Sequence, residues 1–67
     1  MRDARIDEIR RLLPQAMLPD WVRIGSRLVR LLRDQHHPDA HEAILNRLLA
    51  QARASVDMRE LRRLSVP

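Results

Sequence analysis

Prolines at positions 14, 19 and 38 divide this chain into stretches of helix length, and between them apolar residues recur at helical spacing with no strand-type alternation. A proline lacks an N–H and disfavours helical geometry at the residue before it, so it closes one helix and can open the next. Glycine occurs once in 67 residues. The expected fold is all-α: a small three-helix bundle with a short C-terminal fourth helix, residues 1–67 forming a single helical domain. The predicted helices are 3–13, 19–35, 38–54 and 58–64. The boundary near residue 56 rests on a phase slip. Met58, Leu61 and Leu64 drift off the face made by Ile44, Leu45, Leu48, Leu49, Ala52 and Val56, while Asp57 and Glu60 stand at capping-box spacing.

The second stretch carries the most information. At 100° per residue, Leu18, Trp21, Val22, Ile24, Leu28, Val29, Leu31 and Leu32 cover close to half of its circumference. So wide an apolar face needs cover from two sides, with Trp21 turned inward. Gly25 lies in the middle of that face, where a missing side chain lets another helix come close. A glycine there costs on the order of 1 kcal/mol of helix propensity, so close packing is the expected reason for it.

Charge narrows the choice of function. All 13 basic residues are arginine, but nine carboxylates leave a net charge of only +4. That balance permits nucleic-acid binding without requiring it. Arg23, Arg27 and Arg30 fall on one side, opposite the apolar face, with Arg33 beside them. They are the candidate phosphate contacts. Asp20 and Asp34 stand at pairing distance from Arg23 and Arg30 and dilute the positive field. Trp21 is the only aromatic residue, so base stacking is not expected. A second basic cluster, Arg59, Arg62 and Arg63, ends the last helix, where positive charge is favourable in any case.

Other chemistries find little support. "HHPDAHE" places His37 and His41 four apart, but Pro38 puts His37 outside the regular helix and no third ligand is in view, so no metal site and no cofactor are expected. His41 projects to the side of Ile44 and Leu48 and is expected at the core edge. Cysteine is absent, Ser26 and Ser55 have no neighbouring histidine, and no glycine-rich phosphate loop exists. No enzymatic activity and no small-molecule substrate are expected. No apolar run reaches the roughly 18 residues of a membrane span, and the N-terminus lacks the apolar stretch of a secretory signal. A cytoplasmic, bacterial-type protein without membrane association is the expectation.

The remaining feature is an apolar surplus. Domains of this size without disulfides or metals often complete their cores by association. The expected role is a small helical protein-interaction module, an adaptor, accessory or regulatory protein, that contacts a protein partner or forms a homo-oligomer. Its expected contact residues are Met17, Leu18, Trp21, Met58, Leu61 and Leu64, with arginines at the rim. The alternative is a small basic DNA- or RNA-binding regulator using Arg23, Arg27, Arg30 and Arg33.

Overall fold

A computed structural model describes residues 3–33 and 38–65, with only the backbone described for 38–40. It is all-helical, with three α-helices: α1 (Ala4–Leu12), α2 (Leu18–Arg33) and α3 (Pro38–Ser65). The carboxylate of Asp3 caps α1 by accepting the Arg5 N–H at 2.9 Å, filling one of the donor vacancies at a helix start. Pro14 ends the α-helical hydrogen bonding, and the chain tightens into one 3-10 turn, Leu13–Gln15, before extending at Ala16.

The predicted fourth helix is not a separate element: residues 58–64 continue α3 without a break. Neither proline nor glycine lies between Val56 and Leu64 to interrupt it. The phase slip reflects loss of cover. Met58, Leu61 and Leu64 are 51%, 60% and 83% exposed, so the core places no demand on their phase. The 28-residue α3 spans about 42 Å at 1.5 Å per residue, most of the molecule's 49 Å length.

Both shorter helices lie along α3. Arg5 reaches Glu42 and Asn46, Glu8 reaches Arg53, and Ala16 lies near Arg59, so α1 runs parallel to α3. After the 3-10 turn the chain reverses. Asp20 meets Ser55, and Leu31 shares a cleft with His41 and Leu45, so α2 runs antiparallel to α3. Ile9, Ile24, Leu28, Leu31, Leu45, Leu48, Leu49 and Ala52 form the core, with Ile6, Leu12, Leu13 and Leu32 packed around it. Among the described residues, α1 and α2 do not approach each other along their backbones; the 3-10 turn and side chains such as Ile6, beside Leu31 and Leu32, bridge them. The arrangement is therefore open on the side away from α3.

Polar contacts hold the two seams differently. On the α1 seam, Arg53 donates a bidentate pair of bonds to Glu8 at 2.8 and 2.9 Å. Arg5 donates to Glu42 at 2.7 Å and to Asp3 at 2.7 Å. These bonds from Arg5 hold the Glu42 and Asp3 carboxyls below the usual carboxylate range, Asp3 being aided by the Arg5 backbone N–H. On the α2 seam one buried serine does the joining. Ser55 Oγ accepts the Met17 N–H at 2.9 Å and donates to Asp20 Oδ2 at 2.9 Å. Ser55 is 3% exposed and sits on α3, so the acceptor for the start of α2 comes from another helix. His41 lies at the core edge as expected, its Nε2 buried with no hydrogen-bond partner among the described residues.

Candidate interaction surface

The broad apolar face of α2 divides into two strips. Ile24, Leu28 and Leu31 point at α3 and are 3%, 4% and 8% exposed. Leu18, Trp21, Val22 and Val29 form the other strip, at 69%, 42%, 58% and 50% exposure. The sequence expectation of cover on both sides is thus met on one side only, and Trp21 does not turn inward. The reason is the shortness of α1. Its nine residues lie along α3, so α1 meets α2 through side chains, Ile6 beside Leu31 and Leu32 and Arg10 at the groove edge, and leaves the outer strip uncovered.

The uncovered strip forms one wall of a shallow groove on the open side of the molecule. Leu13, Gly25 and Leu28 line it together with Trp21, Val22, Val29 and Leu32, and Arg10 stands on the α1 edge. Gly25 explains the depth at the centre. A methyl group placed there would meet only the Leu13 side chain, at 3.4 Å, which is ordinary van der Waals contact. The fold itself therefore has room for alanine. The half-buried glycine instead leaves α2 backbone accessible from the groove.

The groove continues around the start of α2. There Met17, Leu18, Pro19 and Trp21 face Arg59 and Arg62 across a second shallow depression lined also by Pro14 and Ala16. No carboxylate lines either part among the described residues. Among the described residues, Arg59 makes long contacts, 3.4 and 3.5 Å, to the Pro14 and Ala16 carbonyls.

The six contact residues expected from sequence do not form one patch. Met17, Leu18 and Trp21 come together at the start of α2. Met58 lies across α2 from them, in a separate cleft with Asp20, Arg23 and Arg27. Leu61 and Leu64 stand on the exposed end of α3. Sequence reading passed over Val22, Gly25, Val29 and Leu32 as surface residues because it assigned them to the core. The breadth of the α2 face, taken with the shortness of α1, was the signal that one strip would stay open.

The arginine row is exposed throughout: Arg23, Arg27, Arg30 and Arg33 all face solvent. Asp20 is not ion-paired with Arg23 among the described bridges, its carboxylate accepting instead from Ser55. The other expected partner, Asp34, lies outside the described residues, as do His36 and His37. Among the described residues, no three histidine or acidic side chains are grouped to hold a metal. Among the same residues, no helix is long and apolar enough to cross a membrane. No protein-family model, curated protein or solved structure matches the chain.

Proposed function

We propose that this chain is a small helical protein-interaction module whose contact face is the open strip of α2. The observation that carries the reading is the continuous exposure of Leu18, Trp21, Val22 and Val29 beside a groove-lining glycine. Scattered exposed hydrophobes are ordinary on any protein, whereas a contiguous patch along one helix marks a contact surface. Magnitudes shape the reading further. Burying what remains exposed of these four side chains contributes on the order of 1 kcal/mol each. A sum of about 4–5 kcal/mol matches only millimolar binding, roughly 4 kcal/mol, before association costs are counted. The strip alone supports a transient contact, and further affinity has to come from its rim.

The test uses the chain with Val22→Glu and Val29→Glu, two changes at exposed positions that leave the core alone. Capture from native-cell lysate is compared for the two chains, with and without nuclease. A protein held by the wild type, lost with the double variant and indifferent to nuclease supports the module. Capture that the variant leaves unchanged refutes it. A second reading, phosphate contact through Arg23, Arg27, Arg30 and Arg33, is favoured by the solvent exposure of all four. Titration of a mixed-sequence duplex tests it. Counterion release makes such binding fall steeply with salt, and Arg27→Glu with Arg30→Glu should abolish it.

A further inference from the structure

The groove on the open side differs from an ordinary apolar patch in its border, and the border says what fits it. Among the described residues, its lining contains Arg10 on one long edge and Arg59 and Arg62 at the end where α2 begins, and no carboxylate. The acids that pair with arginine among the described residues lie elsewhere: Asp3 and Glu42 hold Arg5, and Glu8 holds Arg53. The groove's positive edge is therefore free to meet negative charge from outside. Resting on the interaction-module reading, we infer that the groove takes an amphipathic helix of a partner protein, apolar along one stripe and flanked by Asp and Glu.

Three features choose this occupant. The lining is shallow but long, running beside the 3-10 turn along about three turns of α2 from Trp21 to Leu32, a length that suits a helix. Gly25 at its centre lets a second backbone approach closely, which serves helix packing and has no use at a lipid surface. The charge of the rim disfavours a second copy of the chain, because a symmetric contact through this face would set arginines toward arginines. A nucleic-acid strand would satisfy the arginines but leave Val22, Val29 and Leu18 against polar phosphate. An acidic amphipathic helix satisfies both halves of the groove, in the helix-in-groove manner.

The experiment selects helix-forming peptides, randomised on one face and its flanks and displayed on phage, against the full chain, with the Val29→Glu chain for counter-selection. Circular dichroism and thermal melting establish that Val29→Glu is folded. The expected winners carry apolar residues three and four apart with acids on the flank that meets Arg10 and at the end that meets Arg59 and Arg62, and shift the emission of Trp21 to the blue. Changing their acids to glutamine should weaken binding about tenfold or more. Arg10→Glu with Arg62→Glu should reverse the preference, favouring lysine-flanked versions of the same peptides. Winners with neutral or basic flanks overturn the acidic helix while the contact face stands. Failure to select any peptide that distinguishes wild type from Val29→Glu overturns both. A Trp21 shift produced by duplex DNA or phosphatidylglycerol vesicles, and not by acidic peptides, also overturns the assignment.

Discussion

Along the seam between α1 and α3, Arg5 and Arg53 reach carboxylates 37 and 45 residues away in sequence. Around the α2 groove, Arg10, Arg59 and Arg62 border apolar side chains with no carboxylate in the lining among the described residues. The same residue type thus has two roles, decided by what the fold brings near it. On the first seam charge closes an interface inside the chain, while on the second it edges a surface that faces outward. Counting arginines cannot separate these roles; only their neighbours can.

The largest effect that tests this contrast compares one residue from each region. Leu48, 1% exposed at the centre of the core, should lose about 2–5 kcal/mol on replacement by alanine. Val29→Ala should change stability by no more than about 0.5 kcal/mol. Chemical denaturation of the two variants gives both numbers, and similar losses would mean that the α2 strip is covered after all.

Next in size is Ser55→Ala, which removes the acceptor for the Met17 N–H and the donor to Asp20. A cost of about 1–3 kcal/mol is expected, the range for a buried polar group left without its partner. Amide hydrogen exchange should show the loss concentrated in the first turn of α2.

Gly25→Ala sharpens the comparison because its effects on folding and binding have opposite signs. The Leu13 side chain leaves space for the methyl group, so the helix should gain up to about 1 kcal/mol. Close approach of a partner helix should weaken at the same time. A variant that melts higher and binds groove peptides less well fits the structure; one that loses stability shows the Leu13 contact to be tighter than described.

The smallest expected effect is on acidification. The carboxyls of Asp3 and Glu42 titrate lower in the folded chain than in the unfolded one, through the Arg5 hydrogen bonds. The unfolded chain therefore binds protons first, so this contribution is complete above the ordinary carboxylate pKa of about 4. It declines as pH falls through the lower folded values. Both groups belong to the exposed seam of α1, so a modest acid-side loss that Arg5→Ala removes is the expected result. The same loss persisting in Arg5→Ala would assign it to other groups.

Helix positions and the apolar face of α2, though not its division into a buried and an open strip, were legible in the sequence because they follow from proline placement and a 3.6-residue period. Placing Ile24, Leu28 and Leu31 on that face needed no tertiary information. The exposure of Trp21 did, because whether it is covered depends on how far a nine-residue α1 can reach once Arg5 and Glu8 tie it to α3. The apparent break after Val56 had the same origin. A change in apolar phase marks a kink only where the residues on both sides are buried, and Met58 onward are exposed. Ser55 was legible as a poor nucleophile but not as a cap, since its partners at positions 17 and 20 lie in another helix.

The resting of α1 and α2 on α3, with no backbone approach between them, has a consequence for how the chain comes into being. During synthesis the N-terminal segments emerge first, and here they emerge without the rod they lie on. Residues 4–33 precede the helix that both of their helices lie on, and the segment around Leu45, Leu48 and Ala52 follows them out. Only then does the inner strip of α2 become hidden, while the outer strip keeps the greasy character of the unassembled polypeptide.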